Sequence, residues 1–91
     1  MGSLRQYKEQ LQARVAEIRG AVQDGDTNQL ASLAHSLKGV SLQLSINRLA
    51  ALAIRLEEIG EREDLANAPA LVKQLEEEAR QVEEYLSSNG L

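Results

Sequence analysis

Apolar residues recur at steps of three and four along nearly the whole chain, the spacing of one face of an α-helix. The first series is Leu4, Tyr7, Leu11, Val15, Ile18 and Val22. It breaks at DGDTNQL, where Gly25 suits a helix end and Asp26, with Gln29 three residues on, suits a capping box for the next helix. The second series is Leu30, Leu33, Leu37, Val40 and Leu44. Ser45 follows, with a hydroxyl able to cap a third helix whose series is Leu49, Leu52, Leu56 and Ile59. GEREDLANAP, residues 60–69, reads as a loop, with Asn67 as a cap and Pro69 in the first turn of the last helix. The last series is Leu71, Leu75, Ala79, Val82 and Leu86, and it ends in SSNG.

Four amphipathic helices of about 15 to 22 residues with short connections predict an all-α, antiparallel up-down-up-down four-helix bundle. The narrow stripes suit such a core. The alternative is a helical hairpin that dimerises through coiled-coil packing. Gly25, Gly60 and Pro69 punctuate the chain into four pieces and favour the bundle as a monomer. A chain of 91 residues makes one domain with a modest core. The opening MGS is set aside as a cloning remnant, so the domain is assigned to residues 4–91. The acidic run from Glu76 to Glu78 reads as a solvated helix face.

Composition narrows the chemistry. Leu, Ala, Val and Ile supply most of the 43% apolar content, the only aromatics are two Tyr, and Glu, Gln and Arg are abundant, a helix-favouring mixture. The absence of cysteine excludes disulfides and thiolate metal sites, and a single histidine argues against structural zinc. The net charge of −4, without a cluster of Lys and Arg, argues against nucleic acid as a partner. No apolar run approaches the roughly 20 residues needed to span a bilayer, and no signal peptide is visible. These features predict a soluble cytoplasmic module without membrane insertion.

The one histidine lies in LAHSLKGVSLQL, residues 33–44. At about 100° per residue, His35 falls roughly 160° from the centre of its helix's leucine stripe, and is expected to face solvent. Its neighbours on that face are Ala31 and Ser32 one turn before, Lys38 and Gly39 one turn after, and Leu42 two turns after. Gly39 costs about 1 kcal/mol relative to Ala inside a helix, which makes sense if another backbone must come close. Leu42 leaves an apolar group on the same face. Ala31, Ser32, Gly39 and Leu42 are therefore candidate partner-binding residues. Ser41 falls on the core side, where packing is its expected role.

The segment AHSLKGVSLQLSINRLAALAIRLEE, residues 34–58, resembles the signature of histidine-containing phosphotransfer (Hpt) domains of bacterial phosphorelays. His35, Leu37, Lys38, Gly39, Ser41, Leu44, Leu49, Leu56 and Glu57 fall in register with it, and the preceding VQDGDTNQLASLAHSLKG resembles the usual entry into this helix. Ser45 departs from the pattern, because the family often has glycine there.

The resemblance implies a phosphorelay intermediate in which His35 is the phosphorylated nucleophile. A neutral imidazole, with an ordinary pKa near 6.5, offers a nucleophilic nitrogen at neutral pH. Donors and acceptors would be aspartates of response-regulator receiver domains, with a hybrid sensor histidine kinase a further partner. Mg²⁺ would come with the receiver, leaving this chain without a cofactor of its own. No Gly-rich nucleotide loop is present, so an autonomous kinase is not expected. Lys38 can offset phosphoryl charge. Glu57, roughly 110° from the third stripe, can reach His35 across an antiparallel helix pair, and in related domains the residue at this position hydrogen-bonds the histidine. A non-catalytic helical adaptor that uses the same face for docking is the competing reading. A hydrolase is disfavoured because the exposed histidine has no evident nucleophile partner or cleft.

Overall fold

The computed structural model describes residues 3–88, with side chains from residue 8 to residue 87. Leu4 and Tyr7 of the first apolar series, and Asn89 and Gly90 of the final SSNG, lie outside the described side chains. Helices α1 (Ser3–Asp24), α2 (Thr27–Gln43), α3 (Asn47–Arg62) and α4 (Ala68–Ser88) follow one another, with no strand among the described residues. Each helix packs on its neighbours in sequence, and α4 closes on α1; among the described residues the diagonal pairs stay apart. Two pairs of side chains fix the sense of the closing interface. Lys8 donates to Ser87 at 2.8 Å and Arg19 pairs with Glu76 at 3.0 Å, so positions that rise along α1 fall along α4. The 22 residues of α1 span about 33 Å, which fits a longest dimension of 40 Å for helices lying side by side. A hairpin of two double-length helices would exceed that dimension.

Local chemistry stops the helices. After α1, Gly25 adopts a left-handed φ of 72°, while the amide of Gly25 bonds the Val22 carbonyl and that of Asp26 bonds the Ala21 carbonyl. That double closure satisfies carbonyls that a helix end leaves orphaned. Asp26 then caps α2, its carboxylate accepting from the Gln29 amide at 3.0 Å. The same closure ends α2, with Ser45 at φ 60°, and α3, with Glu63 at φ 55°.

Three expectations need correction here. Ser45 does not cap α3; Ile46 occupies the cap position, no side chain bonds the first turn, and Ser45 serves instead as the left-handed residue that closes α2. Residues 60–62 are not loop, because α3 runs through Gly60 to Arg62 and the turn falls on Glu63. Leu44 is not core: it sits just beyond the last residue of α2 and is 51% exposed.

Most of the other stripe residues turn inward, whereas Val40 and Leu86 are half-buried outside the core cluster. Leu11, Val15 and Ile18 of α1, Leu30 and Leu37 of α2, Leu49, Leu52 and Leu56 of α3, and Leu71, Leu75 and Ala79 of α4 form one buried cluster. Val22, Leu33, Ile59 and Val82 pack against it, half-buried. Full burial of each such aliphatic side chain is worth about 1.5 to 3 kcal/mol, so the stripes drive the assembly. Small residues fill the tight places: Ala21, Ala34, Ala53 and Ser41 are also buried. No helix among the described residues is long and apolar enough to cross a membrane.

Candidate functional site

The leucines that sink α2 into the core turn His35 outward, and its side chain is 67% exposed. From the antiparallel neighbour α3, Glu57 stands on the flank beside the buried Leu56 and reaches across the helix pair. Its Oε2 lies 2.8 Å from His35 Nδ1, and its Oε1 accepts from Lys38 Nζ at 2.9 Å. One carboxylate thus bridges an imidazole and an ammonium that α2 presents one turn apart.

This bridge sets protonation. Glu57 is held below the usual carboxylate range, chiefly by the hydrogen bond from Lys38, opposed in part by burial, with a further contribution from His35. An ionised carboxylate can only accept, so Nδ1 of His35 must carry the hydrogen. In the neutral ring, Nε2 is then left with its lone pair, on an imidazole that is mostly in solvent. Glu57, only 15% exposed, has little freedom to turn away.

The flanking residues differ in character. Ser32 and Gly39 are exposed, and a methyl group built on Gly39 would meet nothing within 4 Å. Leu42 is 54% exposed. Ala31 is half-buried, and its backbone lies against Gly60 of α3. Lys38, expected from the sequence to offset phosphoryl charge, is engaged with Glu57 in the folded chain. Three further residues lie near the pair, of which Ile54 and Arg14 carry no sequence-based expectation and Gly60 is expected only as a break between helices. Ile54, one turn before Glu57, adds an exposed apolar side chain at 38% exposure. Arg14 of α1 donates to Ser36, the residue after His35, tying α2 to α1. Gly60 lies one turn beyond Glu57. The first two could have been suspected from helix register alone, because each is offset from a buried leucine by a surface angle.

The bundle thus displays one exposed imidazole whose Nδ1 is hydrogen-bonded to a carboxylate of the neighbouring helix and whose other nitrogen is left on the surface. Residues 2–85 match the family model described as Hpt domain, and the chain belongs to that family of histidine-containing phosphotransfer domains. It is similar to histidine-containing phosphotransfer protein B (HptB) from Pseudomonas aeruginosa PAO1, whose crystal structure matches with a TM-score of 0.90 and 32% identity, covering 94% of this chain and 75% of that one. No match emerges among curated proteins. The fold and family assign the chain to histidine phosphotransfer in phosphorelays, where Hpt domains act with response regulators.

Proposed function

We propose that this domain carries a phosphoryl group on Nε2 of His35 between aspartates of receiver domains. The Nε2 lone pair attacks phosphorus of the receiver's acyl phosphate; an N–P bond forms, the P–O bond to the aspartate breaks, and the carboxylate leaves with the electron pair. The ring gains positive charge as the N–P bond forms. Glu57, bonded to the Nδ1 hydrogen, offsets that charge without taking the proton. Reversal at a second receiver returns the phosphoryl group to an aspartate and restores the neutral ring.

Lys38 is proposed to stand between Glu57 and the incoming phosphoryl oxygens, where its charge serves both. Gly39, Ser32 and Ala31 give clearance for the receiver, and Leu42 gives it an apolar contact. Mg²⁺ is supplied by the receiver, and the domain acts as a monomer in the cytoplasm. A receiver belonging to a hybrid sensor kinase is a suitable donor.

The observation that carries this reading is the 2.8 Å contact from Nδ1 of an exposed His35 to Glu57 in a member of the Hpt family. Incubation with a receiver labelled on its aspartate tests it. Acid-labile label should pass to the parent and not to His35→Gln, which circular dichroism should show to be equally helical. A parent that binds the receiver but takes no label would instead be an adaptor.

A further inference from the structure

Gly60 is the point at which α3 touches the backbone of α2. A Cβ at this position would lie 2.8 Å from the Ala31 amide nitrogen, 2.9 Å from the Thr27 carbonyl oxygen and 3.0 Å from the Ala31 Cα. Thr27 and Ala31 are i and i+4 in α2, so Gly60 rests directly on a backbone hydrogen bond of that helix's first turn. Backbone cannot swing aside as a long side chain can. Any side chain at residue 60 must push the two helices apart until the contact reaches the 3.4 Å of ordinary packing, an opening of about half an ångström or more.

The same contact lies one turn from the His35–Glu57 pair on both helices: Ala31 precedes His35 by four residues, and Gly60 follows Glu57 by three. Both acceptors of the Glu57 carboxylate face α2, one bonded to His35 and one to Lys38. Separation of the helices at Gly60 therefore draws Glu57 away from both partners at once. A 2.8 Å bond lengthened by half an ångström leaves the range of about 2.7 to 3.2 Å in which such bonds hold.

We infer that Gly60 is a positioning residue for phosphotransfer, whose missing side chain sets the α2–α3 separation at which Glu57 fixes the Nδ1–H form of His35. The inference rests on the proposed role of the His35–Glu57 pair, and concerns what holds that pair at bonding distance. Gly60 touches neither the imidazole nor the phosphoryl group.

The test is the tautomer of neutral His35, read from ring ¹⁵N shifts, in parent, Gly60→Ala, Glu57→Ala and the double variant. Gly20→Ala is the control, because a Cβ at Gly20 meets nothing within 4 Å. Parent and Gly20→Ala should show the Nδ1–H pattern. Gly60→Ala should move toward the Nε2–H form and slow transfer from a phosphorylated receiver by about tenfold or more, since misplacing reacting groups by about 1 Å can cost on the order of 100-fold. In the Glu57→Ala background the same substitution should change the rate by less than about twofold, the non-additivity expected of residues acting through one contact. A folded Gly60→Ala that keeps the parent tautomer and rate overturns the inference. If the variant does not fold, Ser45→Gly and Gly20→Ala are added to restore stability; failure to fold even then assigns the contact to stability alone and also overturns it. An Nδ1–H pattern that survives Glu57→Ala would overturn the role of Glu57 itself, a failure visible without any change at Gly60.

Discussion

Nδ1 of His35 and Oε2 of Glu57 lie 2.8 Å apart, although 22 residues separate them in the chain and they stand on different helices. The contact joins the exposed face of α2 to the flank of α3, and through the second carboxylate oxygen it also engages Lys38. It gives a solvent-facing imidazole a defined tautomer on a surface open to another protein.

Glu57 should contribute to stability in a pH-dependent way. Its pKa in the folded chain lies below the ordinary glutamate value of about 4.3. The folded state therefore binds this proton less readily than the unfolded state. The contribution is fully present above the unfolded value and is lost as pH falls through the folded one. Glu57→Gln should lose less stability than the parent between pH 7 and pH 3, measured as urea midpoints. Equal losses would place the bridge outside the energetics of folding. Glu57→Ala should also slow phosphotransfer without abolishing it, because Nε2 keeps its lone pair in part of the population.

Gly39 should respond in opposite directions for folding and for transfer. Nothing lies within 4 Å of its Cβ position, so alanine meets no obstacle there, and the residue stands on an exposed face of α2 from which a longer side chain can leave into solvent. Gly39→Ala should stabilise by about 1 kcal/mol. Gly39→Arg should melt at or above the parent temperature, yet transfer from a receiver should fall by on the order of 100-fold, because a long side chain one turn from His35 keeps the phosphoaspartate out of reach. Labelling by phosphoramidate, a small donor, should suffer less. Equal receiver rates for parent and Gly39→Arg would remove docking clearance as the reason for this glycine.

Ser45 and Glu63 hold left-handed backbone conformations, at φ 60° and 55°, that glycine adopts without steric cost. Ser45→Gly and Glu63→Gly should each raise stability by about 1 kcal/mol, measured by chemical denaturation. Neither should alter transfer. Unchanged or lowered stability in both would mean that added freedom in the unfolded chain offsets the relief.

Ser41 is fully buried in α2, with a hydroxyl that finds no hydrogen-bond partner among the described residues. Removal of an unpaired buried hydroxyl gains about 1 kcal/mol or more. Ser41→Ala should therefore raise the denaturation midpoint with no effect on phosphotransfer. A drop in stability would show that the hydroxyl is satisfied in solution.

The elements legible in the sequence were those written in periodicity. The leucine series named four helices, and the angle between His35 and its stripe gave the exposure of the imidazole before any contact was known. Glu57 followed because an antiparallel pair brings its flank to His35. Errors arose where one residue type serves two purposes. Gly60 reads in the sequence as the start of a loop, but glycine also permits two backbones to touch, and the letter does not distinguish the cases. Ser45 looked like a cap because its hydroxyl can accept a bond; in the fold its backbone conformation is what closes the turn. Leu44 fitted the helical period by spacing, but α2 stops at Gln43 and leaves it outside. The engagement of Lys38 with Glu57 is not legible in the sequence, because it depends on the distance between α2 and α3, which no pattern within one helix records.

The central claim is that Glu57 holds the hydrogen on Nδ1 so that Nε2 is the phosphoryl-accepting atom. The most direct measurement is the position of the N–P bond after transfer from a phosphorylated receiver, read from ³¹P–¹⁵N couplings in ring-labelled protein. The account predicts a single phosphohistidine bonded through Nε2, with the Nδ1 hydrogen still present and shifted by its bond to Glu57. Phosphate on Nδ1, or on a residue other than His35, would contradict it.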